Sequence, residues 1–96
     1  MADYYGKSEF EKHGELVHKL LLGRAITKRK DCADQVGGIR HEAGMLCMST
    51  IELIRTIEGL CYNGMAYEVM DGVYVIGTPA ELKQYGVDLE EYGIKS

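Results

Sequence analysis

Few side chains in this chain are spaced for bond-making chemistry. Cys32, His41, Cys47 and Cys61 are metal-ligand types, but their spacing matches no common zinc pattern. Three cysteines with no CxxC pair read instead as reduced, mostly buried thiols. No metal and no cofactor is expected. His13 and His18 lie five residues apart, off the i,i+4 spacing that puts two ligands on one helical face, so solvated surface is expected for both. The chain has no Gly-rich phosphate loop, no GxSxG, no HExxH and no Cys/His nucleophile pair. With no catalytic residue to name, the reading is a binding protein and not an enzyme. What remains is electrostatic: Lys28, Arg29 and Lys30 are consecutive cations able to neutralise phosphates.

Charge along the chain says where such a contact could form. Residues 1–55 hold nine Lys/Arg against eight Asp/Glu, and residues 56–96 hold two against seven. A polyanion would therefore meet the first half and be repelled by the second. The length of 96 residues and an apolar fraction of 46% fit one domain with a modest core. No apolar run approaches the roughly 20 residues of a membrane span. The first residues lack a basic segment followed by an apolar one, so a cytoplasmic protein is expected.

The elements that must position these residues follow from spacing and caps. Residues 8–24 read as a helix capped by Ser8, with Phe10, Val17 and Leu21 on one stripe and Leu16 and Leu20 beside it. Gly14 weakens it by about 1 kcal/mol relative to Ala. Thr27 would cap a short helix over 28–36, stopped by Gly37-Gly38. Residues 37–48 are ambiguous between short helix and ordered loop. Ser49 and Glu52 form a capping box for a helix over 49–63, with Ile51, Ile54, Ile57 and Cys61 as one apolar stripe and Leu53, Ile57 and Leu60 reinforcing it. Residues 65–77 read as a two-stranded hairpin around Asp71-Gly72, a favoured type I′ pair. Thr78, Pro79 and Glu81 start a helix over 79–85, and 86–96 is an acidic tail. The fold class is α+β: three main helices, a hairpin and a short C-terminal helix.

Taken together, "IELIRTIEGLCYNGMAYEVMDGVYVIGTPAELKQY" resembles the small winged helix-turn-helix proteins of bacteriophages and prophages. In those a helix ends in Gly, an aromatic-rich strand pair follows, and a "TP-x-EL" helix closes the domain. The resemblance covers about two thirds of the chain and implies a DNA-binding regulator of transcription or replication. It places Ser49, Thr50, Glu52 and Arg55 nearest the base edges, with Thr56 as a further polar contact. Lys28, Arg29 and Lys30 would contact phosphates. A variant makes 39–46 the recognition helix, bringing Arg40 and His41 to the DNA. A homodimer is expected, because one small module reads few base pairs.

Three features depart from that pattern. The 37–48 linker is about three times the usual turn. The helix over 49–63 carries one basic residue, Arg55, against Glu52 and Glu58. The hairpin tip has Glu68 and Asp71 and no cation. These favour an alternative, a winged helix that binds a host protein and inhibits a defence or nucleic-acid enzyme, as an anti-CRISPR protein does. Its contact surface would be Asp71, Tyr74, Glu90, Glu91 and Tyr92. For Tyr62, Tyr67, Tyr74 and Tyr85 the plain alternative is packing at the core edge and hairpin.

Overall fold

A computed structural model describes residues 4–29 and 37–94 of the chain. Its longest local signals are the two capping boxes. Ser49 accepts the Glu52 N–H at 3.1 Å while Glu52 accepts the Ser49 N–H at 3.2 Å. Thr78 and Glu81 repeat the pairing at 3.3 and 2.8 Å. Each box satisfies two orphan donors and fixes where a helix begins. Among the described residues the order is α1 (Lys7–Leu20), β1 (Ala25–Thr27), α2 (Ile39–Met45), α3 (Thr50–Tyr62), β2 (Ala66–Met70), β3 (Val73–Ile76) and α4 (Pro79–Gln84), then a 3₁₀ turn (Leu89–Tyr92).

Helix α1 differs from expectation at both ends. Its cap is Gly6, not Ser8, and no side chain caps it. Leu20 is its last residue, short of the expected Arg24. The Gly23 N–H instead bonds the Ile76 carbonyl at 2.8 Å, which turns the chain towards β3. Val17 and Leu21 face inward as read, whereas Leu16 and Leu20 are about half exposed, at 47% and 51%. Gly14 has a packing reason: a Cβ there would meet the Phe10 ring at 2.8 Å. Phe10 also lies against Gly59 of α3, so two glycines let one aromatic ring fill the α1–α3 seam.

The sheet has three antiparallel strands in the order β1-β3-β2, not the two of a lone hairpin. Ala25, Ile26 and Thr27 pair with Val75, Tyr74 and Val73. Lys28 and Arg29 are therefore irregular residues after a strand, not the start of a helix. The rest of the expected 28–36 helix, Lys30 and Cys32 included, lies outside the described residues. The hairpin turn also differs from type I′. Gly72 has φ of 78°, but Asp71 is not among the described positive-φ residues, and the register shifts by a bulge between Glu68 and Met70. One left-handed glycine plus a bulge is the other common way to close a hairpin.

Residues 37–48 contain α2. Gly38 caps it, and Ile39 and Ala43 bury its inner side. Only residues 46–49 separate it from α3, with Cys47 at φ 56° making the turn. The long linker of the sequence reading is thus a short helix and a four-residue connection. In α3 the buried line is Leu53, Ile57 and Leu60, each 1% exposed or less. Ile51, expected on the inner stripe, is 61% exposed.

Both faces of β3 are covered. Tyr74 and Ile76 join Ile26, Leu53, Ile57 and Leu60 in the helical core, while Val75 packs with Val69, Leu82 and Leu89 on the far side. Fully burying a Leu contributes about 1.5–3 kcal/mol, so α4 and the 3₁₀ turn are a true third layer over an otherwise marginal hairpin. Among the described residues, no helix is long and apolar enough to cross a membrane.

Candidate nucleic-acid interface

Strand pairing decides where the cations go. Because β1 runs beside β3, the chain leaves β1 next to the hairpin turn, and the Lys28 N–H bonds the Gly72 carbonyl at 2.8 Å. A Cβ on Gly72 would lie 3.3 Å from Arg29 Cγ and 3.6 Å from Lys28 Cγ. The tip that carries no Lys or Arg of its own is therefore flanked by the two that follow β1. Glu68 is exposed and accepts the Gly72 N–H at 3.0 Å, and Asp71 is exposed too.

Lys28 also links the tip to α3. Its ammonium sits 5.4 Å from the centre of the Tyr74 ring, and the Tyr74 hydroxyl donates to Glu58 at 3.1 Å. Hydrogen bonding to Tyr74 raises the Lys28 pKa, with partial burial opposing, so Lys28 stays charged. The Tyr74 phenol is itself pushed up, first by burial, and stays neutral.

Arg40 approaches from α2. Gly38 bridges Thr27 and the Thr27 N–H bonds the Gly37 carbonyl at 2.7 Å, so α2 begins beside the end of β1. Arg40, in its first turn, is exposed. The opposite end of α2 leads through residues 46–49 to the start of α3, where Ser49 is exposed and Thr50 half-buried. His41 is half-buried.

Three residues of the expected set are spoken for, Glu52 by its capping box and by His13. Thr56 is fully buried and donates its hydroxyl to the Glu52 carbonyl at 2.7 Å, leaving it nothing to offer a ligand. Its place on the helix, one position from Arg55, hid this. Arg55 is at the surface but engaged: its Nε donates to the Tyr5 hydroxyl at 3.3 Å and Nη1 lies 3.5 Å from Glu9. Chiefly through the Tyr5 hydrogen bond, its pKa is raised.

The residues of the protein-partner alternative do not form one surface. Tyr74, 5% exposed, lies on the helical side of the sheet. Glu90, Glu91 and Tyr92 belong to the 3₁₀ turn anchored by Leu89 on the other side, and Asp71 is at the tip. Of the other tyrosines, Tyr67 is half-buried behind the sheet, Tyr62 is 68% exposed, and the Tyr85 ring covers Gly23.

Sequence reasoning missed three polar contacts because each is tertiary. His13 and His18, read as solvated, are mostly covered, and each meets the glutamate of a capping box: His13 with Glu52 at 3.4 Å, His18 with Glu81 at 2.9 Å. The first is ion-pair distance without hydrogen-bond geometry. Glu42 of α2 is fully buried, with Oε1 2.7 Å from Arg24 Nη2 and no partner for Oε2 among the described residues. That pair clamps α2 to the segment entering β1. As for the thiols, Cys61 is pushed up to about 12, mainly by burial, and Cys47 is exposed. Among the described residues no three His, Cys, Asp or Glu side chains are gathered to hold a metal ion.

Comparison of the chain with family models, with curated proteins and with solved structures gave no match in any of the three.

Proposed function

We propose that the chain is a small winged helix-turn-helix domain that binds double-stranded DNA, acting as a phage-type regulator of transcription or replication. The carrying observation is the pairing of β1 with β3, which puts Lys28 and Arg29 against Gly72 at the hairpin tip. A wing without cations of its own thereby acquires two. The short α2–α3 connection supports the same reading, since two helices joined by about four residues can present the second to a groove. In this reading Ser49 and Thr50 meet base edges, while Lys28, Arg29 and Arg40 hold phosphates on either side. Lys30 and a two-fold dimer belong to the same proposal.

Fluorescence anisotropy with a random-sequence duplex tests it. Binding should weaken steeply between about 50 and 200 mM salt, and Lys28→Ala with Arg29→Ala should flatten the log–log slope by about 0.9 per residue. No binding at about 50 mM salt and micromolar protein would refute the DNA reading.

One observation favours the protein-binding alternative. The outward line of α3 exposes Ile51 at 61% and Tyr62 at 68%, with the charge of Arg55 already answered. Aromatic and apolar exposure of that kind suits a protein contact. Loss of a pulled-down host partner on Tyr62→Ala, with Glu90 and Glu91 indifferent to charge reversal, would support it; capture of background proteins alone would not.

A further inference from the structure

The segment before α1 is seated on the outward face of α3, and its contacts converge on Arg55. Tyr4 lies flat on Tyr62, with ring centroids 4.0 Å apart and planes within 7° of parallel. Asn63 donates to the Tyr4 hydroxyl at 3.1 Å. Tyr5 sets its ring 5.6 Å from the Arg55 guanidinium carbon and accepts from its Nε. Glu9, one turn into α1, supplies the countercharge. The chain can cross α3 this closely only because residue 6 is glycine: its φ is 86°, and a Cβ would collide with the Arg55 carbonyl.

Arg55 is the single basic residue of α3. Its side chain is 45% exposed, but its Nε is taken by Tyr5 and its Nη1 faces Glu9, so a phosphate would compete with both. Yet the seat is superficial, with Tyr5 63% and Tyr62 68% exposed, so Tyr4 and Tyr5 can lift while the α1–α3 seam stays packed. We propose that the Tyr4–Tyr5 arm is an autoinhibitory clasp: seated, it occupies the Nε donor of Arg55, and lifted, it frees that donor for a phosphate, with Glu9 the one competitor left. The inference rests on the DNA-binding reading above and names a regulation of that same surface.

The test measures duplex affinity across a salt series for the full chain and for Tyr5→Ala, Arg55→Gln and the double variant, with thermal melts confirming that each is folded. Freeing that donor should steepen the slope of log Kobs against log salt by at most about 0.9, less what Glu9 still neutralises, so near 0.1 M salt the gain in affinity is up to about eightfold. Tyr5→Ala should show that gain, Arg55→Gln alone should change little, and adding Arg55→Gln to Tyr5→Ala should cancel the gain. Tyr5→Phe, which keeps the ring and loses the hydroxyl, should fall between. Wild-type affinity and slope in Tyr5→Ala, with the parent protein still binding DNA in a salt-dependent way, would overturn the clasp alone. If neither protein binds at about 50 mM salt, the DNA reading itself falls and the clasp with it.

Discussion

Replacing Arg24 with alanine should destabilise the fold far more than replacing its partner. Glu42 is 1% exposed at the side chain, and its only hydrogen-bonded oxygen among the described residues is held by Arg24 at 2.7 Å. Arg24→Ala leaves a carboxylate in the core with neither oxygen bonded. Breaking a buried pair this way costs about 3–5 kcal/mol. Arg24 itself is 40% exposed, so water entering its vacated place offsets part of the loss, and the lower end, about 3 kcal/mol, applies. For a domain of this size that lowers Tm by roughly 12–24 °C. Glu42→Met removes the buried charge at nearly constant volume and leaves Arg24 free to hydrate, so it should cost less than about 1 kcal/mol or stabilise. Combining Glu42→Met with Arg24→Ala should recover most of the loss. Urea melts of the four proteins give the coupling directly. An Arg24→Ala cost below about 1 kcal/mol, or a Glu42→Met cost exceeding it, would refute the claim that this pair holds α2 through a buried charge.

Two further outcomes follow from the packing and the caps. Gly59→Ala should destabilise by about 1–3 kcal/mol in a chemical melt, because the new methyl would stand 2.5 Å from Phe10 Cβ and 3.0 Å from the Gly6 carbonyl oxygen; a neutral result would mean that the α1–α3 seam is looser than described. The carboxyls of Glu52 and Glu81 are held below the ordinary value of 4.5, first by the cap backbone N–H groups and then by neighbouring polar side chains that include His13 and His18. A carboxylate depressed in the folded state contributes stability above its unfolded pKa and loses it as pH falls through the folded one. Tm should therefore drop as pH is lowered below about 5, and Glu81→Gln, which can still cap but not titrate, should flatten that drop. Melting curves from neutral to acid pH that are the same shape for both proteins would contradict this.

What could be read from the chain was its local chemistry. The S-x-x-E and T-P-x-E boxes, the place though not the type of the Asp-Gly turn, and the inward line Leu53, Ile57, Leu60 involve residues within a few positions of each other, and the structure contains each. What was hidden depends on distant pairing. Ala25–Thr27 is too short to show a period of two, and it is a strand only because β3 lies beside it. Once it is a strand, Lys28 and Arg29 move from an imagined helix to the hairpin tip, reversing the apparent lack of charge there. Helix α2 offers just two deeply buried apolar residues, Ile39 and Ala43, with Gly44 near its end, so its periodicity is faint. The same holds for His18, whose partner Glu81 is 63 residues away. Ile51 sat at helical spacing with the core residues but at the edge of the buried arc, where periodicity alone does not separate inside from outside.

The central claim is that the end of β1, the hairpin tip and the starts of α2 and α3 form one DNA-binding face. Titrating isotopically labelled protein with a short duplex and following amide chemical shifts measures this residue by residue. The account predicts perturbations at Lys28, Arg29, Gly72, Arg40, Ser49 and Thr50, with Leu82, Leu89 and Glu90 on the far layer unmoved. Shifts confined to α4 and the 3₁₀ turn, or a spectrum unchanged by excess duplex at low salt, would contradict it.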